Sequence, residues 1–154
     1  MKKSSVMLPR LLIAAVILWC IFIWQFSATP GEESIVTSGG VMDLCNQTLR
    51  NWGVKFQFTP VMVRKIAHFV EFFILGALAA AACLWNHISR PALLAVLFST
   101  WVAAVDECIQ VLVPNRGPAF LDVVLDTCGA IFGAVLFFAA LLLFARLGRK
   151  NIPI

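Results

Sequence analysis

The sequence has 154 residues, of which 61% are hydrophobic and only 13% are charged. Because soluble globular domains carry about 25% charged residues, this composition excludes an ordinary soluble protein and indicates an integral membrane protein. The formal net charge is +4, but the basic residues lie near the ends of apolar segments. Such a distribution orients membrane proteins and does not indicate nucleic-acid binding. A single compact domain over residues 1–154 is the natural size for the chain.

Four apolar segments are long enough, or nearly so, to cross a bilayer core of about 30 Å as helices. They comprise residues 11–26, 65–85, 92–113 and 120–144. The first segment follows MKK, so a cleavable signal peptide is the alternative to a membrane anchor. Its long apolar run, its two tryptophans and the poor cleavage sequence FSA favour a retained anchor. We therefore predict an all-α integral membrane protein with four transmembrane helices in a small bundle.

The loop between the first two spans, residues 27–62, is long for so small a protein. It begins with the turn-rich sequence SATPGEESIVTSGG. The residues that then recur at helical spacing are Val41, Leu44, Cys45, Thr48, Leu49 and Trp52. This pattern predicts a short amphipathic helix that lies on the membrane surface, and a mobile loop is the alternative.

The lysine and arginine residues predict the orientation of the spans, because short loops on the cytoplasmic side carry an excess of positive charge. Seven of these residues lie at the two termini and between spans two and three, and five lie on the opposite side. This bias predicts that both termini are cytoplasmic. The long first loop and the PNRGPA loop then face outward from the cell membrane.

Polar residues recur at helical spacing near one end of three spans. Those of spans two and four lie in the first two turns, and those of span three lie in the last two turns. Because spans two and four begin on the side where span three ends, all of them lie within roughly 10 Å of one interface. We call this set, with the arginine of the PNRGPA loop, the polar layer: Lys65, His68, Glu71, Asp106, Glu107, Gln110, Arg116, Asp122 and Asp126.

The charges of the polar layer do not balance. Its five acids exceed its two permanent cations, Lys65 and Arg116, so the net charge is −3, or −2 if His68 is protonated. Mutual pairing cannot neutralise the layer, so either some acids are protonated or a cation or cationic group binds there. Ionisable residues within spans favour a functional site. The alternative is a structural plug of hydrogen-bonded side chains that joins three helices.

The residue types of the polar layer are compatible with more than one chemistry. If the protein is an enzyme, the candidate acids and bases are His68, Glu71, Asp106 and Glu107. The candidate ligand-binding residues are Lys65, Gln110, Arg116, Asp122 and Asp126. The guanidinium of Arg116 suits a phosphate or carboxylate, with pairing to Asp122 as the alternative. A histidine with carboxylates could also bind a divalent metal ion, but no HExxH or CxxC spacing is present, so the sequence assigns no metal ligand and leaves any cofactor unknown.

Three blocks of the sequence resemble the signature blocks of VanZ-like proteins: KIAHFVEFFILG, DECIQVLVPNRG and LDVVLDTCGAIFGA. The stretch QFSATPGEES resembles the serine-containing stretch that follows the first span of that family, and the resemblance extends over residues 19–133. Two positions depart from the family pattern, since Asp126 stands where asparagine is more usual and Ala28 replaces a second serine. The family pattern falls on Lys65, His68, Glu107, Gln110, Arg116 and Asp122.

The resemblance implies a four-helix membrane protein of bacterial origin. The namesake of the family is associated with resistance to the lipoglycopeptide teicoplanin, with little effect on vancomycin. The implied role is therefore that of a surface-acting envelope protein, with a membrane lipid, a lipid-linked cell-wall precursor or the drug as its partner. Two other functions stay open: a membrane-embedded hydrolase or transferase acting on a lipid headgroup, and proton- or cation-coupled transport. A homodimer is also open, because four spans enclose little volume.

Overall fold

The structure is a computed structural model that describes residues 4–114 and 119–150, with the side chains of residues 7–30, 39–114 and 119–147. These residues form five α-helices: α1 (Ser4–Ser27), α2 (Gly31–Asn51), α3 (Pro60–Trp85), α4 (Pro91–Val111) and α5 (Phe120–Lys150). No β-strand occurs in this part of the chain, and α1, α3, α4 and α5 are long and apolar enough to cross a membrane. The prediction of an all-α bundle with four transmembrane helices is confirmed.

α3 is the central helix, because it contacts each of the other four. It begins at Pro60, ahead of the predicted start of the span at about residue 65. The hydroxyl of Thr59 caps this start by accepting a hydrogen bond from the backbone N–H of Met62 at 3.3 Å. Proline suits the first helical position because the N–H that it lacks would have no helical partner there. The early start places Lys65 and His68 in the second and third turns of α3.

α3 and α5 approach each other closely along a face of small residues. A Cβ atom added at Gly129 would crowd the backbone carbonyl of Phe69, and one added at Gly133 would overlap that of Phe73. The sequence GAIFG is thus a GxxxG contact, a common way for transmembrane helices to pack. Asp126 lies three residues before Gly129 and therefore on the same face of α5. The close contact directs Asp126 towards α3.

The four spanning helices bury an apolar core beside the polar layer, and the core includes Ile23, Phe72, Leu75 and Val102. Many other large apolar side chains point away from the bundle. Leu136, for example, is 57% exposed. A helix bundle that is apolar on its outside as well as its inside is suited to contact with lipid tails.

α2 occupies most of the first outer loop. It runs from Gly31 to Asn51, so the alternative of a mobile loop is wrong, and the turn-rich sequence ahead of residue 41 lies largely within the helix. Leu44 is 66% exposed, and Trp52, directly after the helix, is 75% exposed. The location of these apolar side chains at the membrane surface stays a prediction.

A pair of hydrogen bonds ties α2 to the segment that leads into α3. The backbone N–H of Phe58 donates to Oδ1 of Asn46 at 2.7 Å, and Nδ2 of Asn46 donates to the carbonyl oxygen of Phe58 at 3.1 Å. Asn46 is buried. This contact fixes the connection between α2 and α3 next to the end of the bundle that carries the polar layer.

Candidate functional site

Three helices bring their polar residues to one end of the bundle. α3 and α5 begin at this end and α4 ends there, which is the arrangement that the directions of the spans predict. Eight of the nine residues of the polar layer lie in the described part of the chain, and Arg116 lies outside it. The predicted contact between Arg116 and Asp122 therefore also lies outside the described residues.

His68 lies at the centre of the site. Its Nδ1 atom is 3.9 Å from Oε2 of Glu71, 3.9 Å from Oδ2 of Asp106 and 3.9 Å from Oδ2 of Asp126. These distances exceed the usual length of a hydrogen bond. The three acids come from α3, α4 and α5, so one imidazole ring faces carboxylates of three helices. We call these four residues the histidine cluster.

The histidine cluster is almost closed to solvent. The side chains of Asp106 and Asp126 are 1% and 2% exposed, whereas those of His68 and Glu71 are 14% and 18% exposed. Oδ1 of Asp126 is buried and has no hydrogen-bond partner among the described residues. Three ionised carboxylates would exceed the single positive charge of a protonated imidazole. Within the described residues, the cluster is therefore balanced only if it binds protons or a cation.

Gln110 connects the histidine cluster to its surroundings. Its Nε2 atom donates to Oδ2 of Asp106 at 2.8 Å and to Oγ of Ser27 at 3.4 Å, and its Oε1 atom accepts from Nη2 of Arg64 at 3.2 Å. Gln110 itself is 2% exposed. Its position is that of a residue that holds Asp106 in place, and its predicted ligand-binding role stays a prediction.

Two residues of this network, Arg64 and Ser27, are missing from the predicted polar layer. Arg64 counts in the sequence only as a loop charge that sets orientation, because the predicted second span begins after it, at about residue 65. Ser27 lies in the stretch QFSATPGEES, where the resemblance to a family was the available signal. Their contacts depend on how α1 and α3 are rotated against α4, which residue spacing does not specify.

α1 forms a further side of the site. The indole Nε1 atom of Trp19 donates to the backbone carbonyl oxygen of Glu71 at 2.9 Å, and Ser27 closes the far end of the Gln110 network. The first span therefore contributes directly to the surroundings of the histidine cluster. A helix that only anchored the chain would have no need of these contacts.

The remaining acids of the polar layer lie away from His68. Asp122 forms an ion pair with Lys65, whose side chain is 45% exposed, against 16% for Asp122. Oε2 of Glu107 accepts a hydrogen bond from the backbone N–H of Ala119 at 2.9 Å, one residue before α5. Glu107 thus fixes the start of α5, and its predicted role as an acid or base stays a prediction. The Lys65–Asp122 pair forms the exposed rim of the site.

The structure brings together a set of possible metal ligands that sequence spacing does not reveal. His68, Asp106 and Asp126 each offer one ligand atom, and these atoms lie within 4.8 Å of one another. The three residues come from three helices and are separated by 38 and 20 positions in the chain. A short motif such as HExxH could not have identified them. The same arrangement also suits proton transfer between the imidazole and a carboxylate.

Comparison with known proteins gives one family. The family model described as VanZ/LLP1 matches residues 12–144, a range that contains the histidine cluster, the Gln110 network and the rim. No match was found among the curated proteins or among the solved structures.

Proposed function

Because the chain belongs to the VanZ/LLP1 family and has four helices that can span a membrane, we propose that it acts at the outer face of a bacterial cell membrane. Both termini are cytoplasmic in this proposal, and the polar layer opens outward. The site binds the headgroup of a surface lipid, such as a lipid-linked cell-wall precursor, or the lipoglycopeptide itself. Binding lowers susceptibility to teicoplanin and has little effect on vancomycin.

The observation that carries this proposal is the convergence of three carboxylates on His68 beneath an exposed ion pair. The side chain of Lys65 at the rim is 45% exposed, so its ammonium group, which pairs with Asp122, can also donate to a phosphate or carboxylate of a ligand. The acids behind it form a negative region that suits a cationic group of the same ligand. The lysine and arginine count, seven against five, supports the outward orientation.

The test compares teicoplanin and vancomycin susceptibility in a Gram-positive host. The strains carry an empty vector, the protein, its Lys65→Gln variant or its Lys55→Gln variant, with matched amounts in the membrane. Lys55 is an exposed lysine of the segment between α2 and α3, so its variant makes the same chemical change outside the rim. We expect protection against teicoplanin alone, lost with Lys65→Gln and kept with Lys55→Gln. An absence of protection at every expression level, or equal losses in the two variants, would contradict the proposal.

A second candidate function is a membrane-embedded hydrolase or transferase that acts on a lipid headgroup. The observation that favours it is the imidazole of His68 facing Glu71 and Asp106 at 3.9 Å, which is a possible acid–base group. This candidate predicts a changed profile of lipids or cell-wall precursors in cells that express the protein. Cells that express the His68→Ala variant should keep the profile of cells without the protein. An unchanged profile at high expression would exclude it.

Proton- or cation-coupled transport is the weakest of the three functions. Residues 72–85, 91–105 and 127–145 contain no charged residue. Such transport uses charged side chains along a path across the membrane. The opposite half of spans two, three and four supplies no charged residue for such a path.

A further inference from the structure

We propose that His68, Asp106 and Asp126 bind a divalent transition-metal ion. This inference goes beyond the role at the cell surface and does not depend on it, because metal binding is a property of the isolated protein. It rests on the geometry, charge and surroundings of the histidine cluster.

The distances between the ligand atoms are close to those of a bound metal ion. Nδ1 of His68 lies 3.9 Å from Oδ2 of Asp106 and from Oδ2 of Asp126. A metal ion with bonds of about 2.0–2.2 Å to nitrogen and oxygen holds neighbouring ligand atoms roughly 3.0–3.4 Å apart. Inward movements of less than about 1 Å, within reach of side-chain rotation, would complete the coordination.

The charges of the ligands suit a divalent cation. Two carboxylates with a neutral imidazole carry a charge of −2, which one divalent ion neutralises. Two basic residues of the polar end have other contacts in the described part of the chain, since Lys65 pairs with Asp122 and Arg64 donates to Gln110. These contacts do not neutralise the ligand carboxylates.

Asp126 gives an independent indication of a ligand. The residue is 1% exposed and its Oδ2 atom faces His68, but its buried Oδ1 atom has no hydrogen-bond partner in the described part of the chain. A buried carboxylate oxygen without a partner is costly in a membrane protein. A metal ion that bound Asp126 would remove this cost.

The surroundings of the cluster resemble those of other metal sites. The Nε2 atom of Gln110 donates to Oδ2 of Asp106 at 2.8 Å, and such hydrogen bonds orient ligating carboxylates. Three packed helices supply the three ligands, so the site is largely formed before the ion binds. The partial exposure of His68 and Glu71 leaves an entry path, and Glu71 is a further acid whose Oε2 atom lies 3.9 Å from Nδ1 of His68.

The ligand types favour particular metals. One imidazole nitrogen with two carboxylate oxygens suits zinc and manganese, whereas magnesium and calcium favour oxygen ligands alone. We therefore expect Zn²⁺ or Mn²⁺ to bind and Mg²⁺ to bind much more weakly.

The test uses the full-length protein, purified in detergent and treated with a chelator. Zn²⁺, Mn²⁺ or Mg²⁺ is added, unbound ions are removed by gel filtration, and the retained metal is measured by inductively coupled plasma mass spectrometry. Thermal unfolding with and without each ion gives a second measurement. The variants are Asp126→Asn and His68→Gln, with Asp43→Asn as the control, because Asp43 is an exposed acid of α2.

We expect about one Zn²⁺ or Mn²⁺ ion per chain, and a melting temperature that rises with the ion and falls back with chelator. Asp126→Asn and His68→Gln should weaken binding at least about tenfold, whereas Asp43→Asn should bind as the unmodified protein does. The proposal is overturned if the unmodified protein retains neither ion, or if Asp126→Asn binds as tightly as the control. Because the measurement on the unmodified protein is decisive by itself, the proposal can be tested even if a variant fails to fold.

Discussion

Replacement of Gln110 by methionine should destabilise the protein, because Gln110 is the point where three helices are joined by hydrogen bonds. Methionine has nearly the same length and fits a helix equally well, so the change removes hydrogen bonds with little change in volume. The bonds lost are those to Asp106 at 2.8 Å, from Arg64 at 3.2 Å and to Ser27 at 3.4 Å.

The expected size of this effect follows from the partners of Gln110. Two of the three bonds involve charged groups, and such bonds contribute about 1.5–3 kcal/mol each in soluble proteins. Hydrogen bonds between helices within a membrane average only about 0.6 kcal/mol. The site lies near the end of the bundle, between these environments, so we expect a loss of about 2 kcal/mol in the free energy of unfolding. For a chain of this size, that loss lowers the melting temperature by about 4–8 °C.

The assay is thermal unfolding of the purified protein in detergent, followed by circular dichroism. Gln47→Met is the matched control, because Gln47 is exposed on α2 and the same chemical change there should shift the melting temperature by less than about 2 °C. A Gln110→Met variant as stable as this control would show that the network does not hold α1, α3 and α4 together.

Two further predictions concern other contacts of the fold. Gly133→Ala should lower the free energy of unfolding by about 1–3 kcal/mol, because the added methyl group would overlap the backbone carbonyl of Phe73. The control is Gly39→Ala, whose methyl group meets no atom within 4 Å and should not destabilise the protein. Equal thermal stability of the two variants would contradict the close packing of α3 and α5. Asn46→Ala should free the segment between α2 and α3, because it removes both hydrogen bonds to Phe58. In limited proteolysis, the rate of cleavage within residues 52–59 should then rise. An unchanged cleavage rate would show that these bonds do not hold the segment.

The end of the bundle at which the polar residues gather could be predicted from the sequence, and their contacts could not. The rise per residue and the alternating directions of the spans are enough to place Glu71, Asp106 and Asp126 at one end of the bundle. Whether two side chains at one depth meet depends on the rotation of each helix about its axis. Glu107 illustrates the limit, since it is adjacent to Asp106 in sequence and yet binds the backbone N–H of Ala119.

The helix α2 shows a second limit of the sequence. Turn-forming residues and a Gly39–Gly40 pair indicate an irregular segment, but the structure forms a helix from Gly31 to Asn51. Propensities of single residues are weak compared with the contacts that a helix makes with the rest of the fold. Here α2 is held by hydrogen bonds between Asn46 and Phe58. These two residues are too far apart in the sequence for a local residue pattern to predict their contact.

We propose that the polar layer opens at the outer surface of the cell membrane, and labelling of single cysteines in intact cells is a direct test of this orientation. The five native cysteines are replaced by serine, and Gln57→Cys or Ser89→Cys is then introduced. Both positions are exposed: Gln57 lies between α2 and α3, at the end that carries the polar layer, and Ser89 lies between α3 and α4, at the opposite end. A membrane-impermeant maleimide should label the Gln57→Cys protein in intact cells and the Ser89→Cys protein only after the cells are opened. The reverse pattern would place the polar layer at the cytoplasmic face and contradict the proposed role in lipoglycopeptide susceptibility.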